Sequence, residues 1–325
     1  MELSVLFVGT AGSVPSARRG LPGLLVRHGG ERILVDCGEG TQRQLIRSAG
    51  LVELTDIFIT HLHLDHWLGL PGLLKSLDLR DRERPLQLHG PPGLGEAMAT
   101  MRKVYGKLGF KLEVIELQAQ DTVRRGALEI APVNVRHRTL AYGYVFTEDE
   151  RPGRFDAELA TKLGVEFGPD FGRLQRGETV AGVSPEQVIG EPRGGRKLAV
   201  SGDTSPCETL AIAAHGADVL VHEATFGEDE RDRAGLTGHS TAAQAARIAL
   251  DADVKLLALT HVSARYGGRE LRDEARTIFP DTELPRDFDT IEIPFAERGA
   301  PRLVRFDDGA PPAPKLEPAP AESTT

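Results

Sequence analysis

Side chains that commonly bind metal ions are concentrated in the segment Thr60–His66, whose sequence is THLHLDH. Four of them lie within six residues: His61, His63, Asp65 and His66. The segment follows the apolar run Asp56–Ile59, which is typical of a β-strand. Because side chains alternate faces in an extended segment, His61, His63 and Asp65 should share one face. Imidazole and carboxylate suit zinc and similar ions, so the spacing predicts a dinuclear metal site; the alternative is a polar turn with incidental histidines.

Further residues that can bind metal follow apolar runs elsewhere in the chain: His137, Asp203 and His261. Strand ends commonly meet at one edge of an α/β sheet, so these residues can join the cluster. Taken singly, each histidine is as easily a packing residue, and Asp203 is as easily a turn or cap residue. Asp36 also closes a strand, and we interpret it as a residue that orients a ligand imidazole without binding metal directly.

The composition restricts the class of protein. The chain has 325 residues, 40% of them hydrophobic, which is ample for one large domain. Its net charge of -9 counts against a broad RNA-binding surface, although not against a local one. The two cysteines, Cys37 and Cys207, are far apart, which implies no disulfide framework and a reducing compartment. With no signal-peptide pattern and no apolar run of bilayer length, we expect a cytoplasmic protein without a membrane partner.

Strand-like and helical segments alternate along most of the chain, and two early strands are joined by a Gly29–Gly30 hairpin turn. This pattern predicts an α/β fold, an αββα sandwich of two mixed β-sheets flanked by helices. Residues 149–195 contain Gly and Pro throughout and few periodic apolar positions, so we expect a long irregular insertion. Residues 308–325 are rich in proline and poor in apolar residues, which predicts a disordered C-terminal tail.

Five short motifs carry a resemblance to a known family: Phe7–Pro15, Val35–Gln42, Gly168–Gly177, Ser201–Thr204 and His222–Thr225. With the order of the candidate ligands, they make the chain resemble the metallo-β-lactamase superfamily and, within it, the ribonuclease Z family of tRNA 3′-processing endonucleases. The resemblance covers about residues 1–307. It implies a metallo-β-lactamase-fold catalytic domain over that range, in which residues 149–195 form an inserted, protruding and flexible tRNA-binding arm.

The resemblance also implies a ligand set for two zinc ions per chain. It assigns one metal to His61, His63 and His137 and the other to Asp65, His66 and His261, with Asp203 bridging them. Two cations about 3.5–4 Å apart share a water and lower its pKa toward neutrality. Asp65 is implied to take the proton from that water.

A second group of residues is implied to act on the leaving group: His222, Glu223 and His239. By resemblance, Glu223 polarises His239, which donates a proton to the departing 3′-oxygen. The alternative is a buried histidine–glutamate pair that only stabilises the junction between a strand and a helix.

The substrate implied by the resemblance is precursor tRNA. The enzyme would remove the 3′ trailer by cutting after the discriminator nucleotide, leaving a 3′-hydroxyl on the tRNA and a 5′-phosphate on the trailer. A homodimer is implied, in which the arm is offered to tRNA held by the partner subunit. Basic residues in and beside the arm are candidate RNA contacts: Arg173, Arg176, Arg193, Arg196 and Lys197.

The sequence leaves two alternative functions open, and one loop departs from the pattern of the family. The same metal site could serve a phosphodiesterase or arylsulfatase that acts on small esters, and a protein of a different class would be a noncatalytic RNA-binding module. In the loop Ser16–Gly20, many relatives carry a lysine and then Arg-Asn, whereas this chain has Ser-Ala-Arg-Arg-Gly. The treatment of precursors that already carry CCA is therefore open.

Overall fold

Two units make up the chain in the computed structural model, which describes residues 2–307. One unit is Thr147–Arg196, called the arm unit below, and the other is the remainder of the chain, called the body. The disordered tail expected over residues 308–325 lies outside the described residues.

The first sheet of the body has eight strands. Six of them follow one another in the chain: β1 (Leu3–Gly9), β2 (Gly23–His28), β3 (Glu31–Val35), β4 (Asp56–Phe58), β5 (Leu86–Gly90) and β6 (Leu112–Glu116). The two strands beyond β1 are β14 (Thr290–Glu292) and β15 (Arg302–Val304), in the spatial order β15-β14-β1-β2-β3-β4-β5-β6. Antiparallel pairing from β15 to β3 changes to parallel pairing from β3 to β6, so the sheet is mixed.

The second sheet has seven strands: β7 (Val123–Arg125), β8 (Leu128–Asn134), β9 (Tyr142–Glu148), β10 (Lys197–Val200), β11 (Val219–Glu223), β12 (Leu256–Thr260) and β13 (Thr282–Glu283). Their spatial order is the reverse of their order in the chain. The strands from β10 to β13 pair in parallel, and β7 pairs antiparallel with β8. Parallel neighbours bring their carboxyl ends to one edge, where β11 ends on Glu223 and β12 ends on Thr260.

The α-helices of the described residues are α1 (Thr41–Ser48), α2 (Leu64–Trp67), α3 (Leu70–Asp78), α4 (Leu94–Tyr105), α5 (Ala157–Lys162), α6 (Pro169–Gln175), α7 (Pro185–Val188), α8 (Glu208–Ala214), α9 (Arg231–Thr237), α10 (Ala242–Asp251) and α11 (Arg269–Arg276). Among residues 2–307, no helix has the length and apolar character that crossing a bilayer requires.

Strand alternation explains the layers of the body. In β1, Leu3, Val5 and Phe7 join the core between the two sheets, where Tyr144 and Val221 of the second sheet also lie. The intervening side chains of the first sheet pack instead with α1, α3 and α4, and those of the second sheet pack with α8, α10 and α11. The predicted αββα sandwich of two mixed sheets flanked by helices is confirmed.

The arm unit is folded, so the expectation of a long irregular stretch is wrong. It contains α5, α6 and α7, and it has its own apolar cluster: Ala160, Val165, Phe171, Leu174, Val180, Val183 and Val188. Local caps define its short helices, since the Asp156 side chain accepts a hydrogen bond from the Leu159 amide at 2.9 Å. Helices of four to seven residues are too short to show a helical period in the sequence.

A buried ion pair joins the two ends of the arm unit. The Arg196 guanidinium donates through Nε and Nη2 to the two carboxylate oxygens of Glu148, both at 2.8 Å, and both residues are buried. A bidentate pair of this kind is strong and geometrically specific. Arg196 therefore joins the ends of the arm unit and is not exposed for RNA contact. Arg173, another candidate RNA contact, forms ion pairs with Asp170 and Glu178.

Candidate metal centre

The first group of candidate ligands forms just beyond β4. His61 is fully buried, and His63 lies at the extended residue that precedes α2. The Nδ1 atom of His63 is 3.0 Å from Nε2 of His61 and 3.2 Å from Nε2 of His137, which follows β8. Three imidazole nitrogens thus converge on one place, as the chemistry of a zinc-type cation requires.

The second group combines the start of α2 with the residue after β12. Asp65 Oδ2 lies 3.5 Å from Nε2 of His66 and 3.5 Å from Nε2 of His261. Both Nε2 atoms are buried and have no hydrogen-bond partner among the described residues. Buried polar atoms are normally satisfied, so two unpartnered nitrogens beside a carboxylate are evidence that this group fits a cation.

Asp203 lies between the two groups. Its Oδ2 atom is 3.7 Å from His61 Nε2, 3.3 Å from His66 Nε2 and 3.4 Å from His261 Nε2. Burial disfavours the charged carboxylate, but the neighbouring imidazoles of His261 and His66 hold the pKa of Asp203 well below its usual range. One ionised oxygen is therefore shared by ligands of both groups, which is what a bridging carboxylate needs.

The outer nitrogens of the candidate ligands are held by fixed partners. Asp36 Oδ2 accepts a hydrogen bond from His66 Nδ1 at 2.7 Å, and the same carboxylate accepts from the amide and the hydroxyl of Thr60. Further pairs are His137 Nδ1 with the Gly238 carbonyl at 2.7 Å, and His261 Nδ1 with Thr225 Oγ1 at 2.8 Å. Such partners fix the ring orientation and leave Nε2 as the ligand atom, as metal-binding histidines require.

The loop after β1 supports the second group from the other side. The Ser13 amide donates to Asp65 Oδ2 at 3.0 Å. Gly12 lies against His261, because a Cβ at Gly12 would come within 2.7 Å of the ring Nδ1. Sequence reasoning identified this loop only as a family motif and missed Gly12, Ser13, Thr60 and Thr225 as site residues.

His239 and Glu223 form a second buried arrangement beside the metal-binding groups. His239 Nδ1 is 2.9 Å from Glu223 Oε1, and the same carboxylate accepts hydrogen bonds from the Thr204 amide and from the amide and hydroxyl of Thr225. Burial lowers the pKa of His239, but the charge and hydrogen bond of Glu223 outweigh burial and raise the pKa to about 9. An imidazolium at neutral pH can donate a proton.

The structure does not bring His222 into this arrangement. His222 precedes Glu223 in β11, and adjacent side chains of a strand point to opposite faces. Its Nδ1 atom contacts the backbone carbonyl of Glu223 at 2.7 Å, and His222 belongs to none of the metal-capable groups within the described residues. The prediction of a three-residue group therefore reduces to the Glu223–His239 pair, with His222 as a buried strand residue.

The altered loop Ser16–Gly20 uses one of its arginines internally. Arg19 Nη1 donates to Thr10 Oγ1 at 2.6 Å and to the Pro285 carbonyl at 3.2 Å, whereas Arg18 is exposed. Asp287 completes this contact by accepting from the Gly20 amide at 2.6 Å. Arg19 thus holds the loop against the rest of the body, whereas the Arg18 side chain is exposed to solvent.

Comparison with known proteins agrees with this geometry. The family model described as the metallo-beta-lactamase superfamily matches residues 23–261. The ribonuclease Z of Haloferax volcanii is 43% identical over 307 residues, which cover 91% of this chain and 97% of that protein.

Solved structures with the same fold include human tRNase Z, short form, and the metallo-beta-lactamase fold protein YhfI from Bacillus subtilis. The human protein is 29% identical, with a TM-score of 0.65 and coverage of 90% of this chain and 99% of that chain. YhfI is 20% identical with a TM-score of 0.67, covering 90% of this chain and 100% of that chain, a likeness of fold alone. Because the chain is 43% identical to the Haloferax volcanii ribonuclease Z over most of both proteins, it belongs to the ribonuclease Z family of the metallo-beta-lactamase superfamily.

Proposed function

We propose that this protein is an endoribonuclease that removes the 3′ trailer from tRNA precursors. It cuts after the discriminator nucleotide and leaves a 3′-hydroxyl on the tRNA and a 5′-phosphate on the trailer. The observation that carries the proposal is the pair of metal-capable groups around Asp203, in a chain that is 43% identical to a ribonuclease Z over most of its length.

The metal ions in this proposal are two zinc ions per chain. His61, His63 and His137 would hold one ion and Asp65, His66 and His261 the other, with Asp203 shared between them. The unpartnered buried nitrogens and the carboxylate–imidazole donor set support this assignment. When bound, the ions supply Lewis acidity that lowers the pKa of a water and neutralises charge on phosphate oxygens.

Two side chains of the protein move protons. Asp65 accepts the proton of the attacking water; the electrostatic attraction of the nearby His261 and His66 outweighs burial and lowers the pKa of Asp65, which keeps it ionised. His239 donates a proton to the 3′-oxygen as the phosphorus–oxygen bond to the tRNA breaks, and Glu223 stabilises the charged imidazole before the transfer. The oxygen of the attacking water stays on the 5′-phosphate of the trailer, and the proton from His239 completes the 3′-hydroxyl of the tRNA.

The arm unit would bind the substrate outside the metal centre. Residues 1–307 are the catalytic domain, and residues 149–195 are a tRNA-binding arm within it. Its Gly168–Pro169 segment opens α6 beside Phe167, whose side chain is 90% exposed and available for contact. On the basis of the family resemblance, we propose that the protein is a cytoplasmic homodimer in which the arm of one subunit contacts tRNA bound to the partner subunit. Sedimentation velocity tests whether the protein is a dimer.

The test is cleavage of a 3′-extended tRNA transcript by the zinc-loaded protein, with both new ends mapped. We expect one cut after the discriminator nucleotide. A hairpin RNA with the same 3′ extension but no tRNA fold is the matched control, and it should be cut far more slowly. Equal cleavage of both RNAs would refute the selection of tRNA, and hydrolysis of small phosphodiesters without cleavage of the precursor would favour the small-ester alternative.

A further inference from the structure

Two arginines flank His137 and line a cavity beside the metal centre. The cavity has a volume of about 430 Å³, and His239, Ser205 and Gly238 also line it. Arg136 and Arg138 are both exposed. The Arg136 backbone is fixed, because its amide donates to Thr204 Oγ1 at 3.1 Å and its carbonyl accepts from the Ser205 amide at 2.7 Å. The guanidinium groups are thus carried next to candidate ligands by a segment whose backbone is anchored.

Neither arginine is neutralised by the protein. Among residues 2–307, no carboxylate lies within ion-pair distance of Arg136 or Arg138, and the cavity is lined by no aspartate or glutamate. The whole chain carries a net charge of -9, so the two unpaired cations beside the site have the opposite sign to the chain as a whole. Such a concentration of positive charge attracts anions and raises their local concentration.

A second cavity that shares His239 provides the contrast. It has a volume of about 510 Å³ and contains two other arginines, Arg233 and Arg265. Both contact the same carboxylate, since Glu230 lies 3.2 Å from Arg233 Nη1 and 3.4 Å from Arg265 Nη1. The two cavities therefore hold the same number of arginines, but only Arg136 and Arg138 keep their full hydrogen-bonding capacity for a ligand.

We propose that Arg136 and Arg138 form a phosphate-binding subsite that holds the RNA backbone next to the scissile phosphate. Guanidinium groups bind phosphate oxygens through paired hydrogen bonds, and phosphate contacts position a nucleic acid without reading its sequence. The subsite rests on the proposed function, because it borders His239, the proposed proton donor. It deepens that function by assigning residues that set the register of the chain at the cut.

Substitution to glutamine tests the subsite. Arg136→Gln and Arg138→Gln remove charge from exposed side chains without breaking an ion pair, so both variants are expected to fold. Each should weaken binding of precursor tRNA by roughly 10-fold, the usual consequence of losing a hydrogen bond to a charged group. The dependence of log affinity on log salt should become shallower by about 0.7–0.9 per arginine removed, since each releases one fewer counterion.

The matched control is Arg265→Gln, which makes the same chemical change in the cavity where Glu230 already contacts the arginine. We expect little change in its salt dependence. Precursors with one uncharged methylphosphonate, placed at the first phosphate on either side of the cut, then locate the contact. On one of them, the deficit of Arg138→Gln should disappear.

The outcomes separate the two proposals. If the parent cleaves the precursor and Arg136→Gln and Arg138→Gln behave like Arg265→Gln, the subsite is refuted and the proposed function stands. An unchanged Arg138→Gln deficit on both methylphosphonate substrates also refutes it. A parent protein that does not cleave the precursor overturns the proposed function and the subsite together.

Discussion

The metal centre and the arm unit differ in what their sequences reveal. The candidate ligands come from several separate segments of the body, yet the dense cluster from His61 to His66 and the family motifs mark them, because few side chains can bind a cation. The arm unit is one continuous segment, and its sequence indicated an irregular loop, although it has three helices and an apolar cluster. Metal ligands are thus easier to predict from a sequence than the packing of a few short helices, because metal binding restricts which side chains can be used.

The comparison also predicts a division of labour. The body contains every residue of the metal-capable groups, whereas the arm unit contains none of them. Changes to the metal-capable groups should therefore affect hydrolysis of any phosphodiester, and changes in the arm unit should affect selection of tRNA. Variants in each unit test this division.

The largest effect is expected from His63→Ala. Removing one of three converging imidazoles should lower the bound zinc from about two equivalents per chain toward one and abolish nearly all hydrolysis of precursor tRNA and of small esters. Elemental analysis and activity on both substrates measure this. His215→Ala, a change at an exposed histidine, is the control and should keep both metals. Full activity of the parent after complete removal of metal would refute the metal-dependent mechanism.

A somewhat smaller effect is expected from His239→Ala. The variant should keep its metal but cleave precursor tRNA about 10²–10⁴-fold more slowly, the usual range for loss of a general acid. The deficit should shrink on a nitrophenyl phosphodiester, because nitrophenolate leaves without a proton. An equal deficit on both substrates would assign the Glu223–His239 pair a structural role only.

Loss of an orienting residue should cost less again. Asp36→Asn keeps the size of the side chain and is compatible with the left-handed backbone at residue 36, where φ is 60°. It weakens the hold on His66, so metal affinity or activity should fall by about 10–100-fold. Competition with a chelator measures the affinity, and Glu39→Gln, at an exposed position nearby, is the control. Unchanged metal affinity would show that Asp36 does not orient His66.

The smallest effect on hydrolysis of small esters is expected from Leu174→Ala. Leu174 is fully buried in the apolar cluster of the arm unit, so the change should destabilise that unit by about 2–5 kcal/mol. Hydrogen exchange should accelerate within Thr147–Arg196 while metal content is unchanged. Faster exchange throughout the body, with loss of metal, would contradict the independence of the two cores.

The sequence was sufficient for the layered fold, because strand alternation is a local pattern, and for selecting side chains that the structure groups into metal-capable sets. His61 and His63 were placed on one face by the strand period, whereas His137 and His261 were assigned to the metals by the family resemblance. The supporting contacts needed coordinates. Nothing in the residue types of Gly12, Ser13 or Thr225 indicates that they touch Asp65 or His261 from distant segments.

Two further expectations depended on the direction in which a side chain points, which could not be predicted from the sequence. His222 stands beside Glu223 in the chain, but alternation in β11 separates their side chains. Arg196 was counted among the RNA contacts because of its charge, yet it is buried against Glu148. Arg136 and Arg138 were not singled out at all, because only the structure shows that they lack acidic neighbours.

Replacing residues 149–195 with a short Gly-Ser linker tests the division of labour most directly. The replacement keeps Glu148 and Arg196, whose ion pair joins the ends of the arm unit. The measurement is kcat/KM on precursor tRNA and on a nitrophenyl phosphodiester, each at two salt concentrations. We predict near-parental hydrolysis of the small ester, a large loss on precursor tRNA through weaker binding, and a shallower salt dependence. Precursor processing at the parental rate would contradict the account, because tRNA selection would then lie in the body.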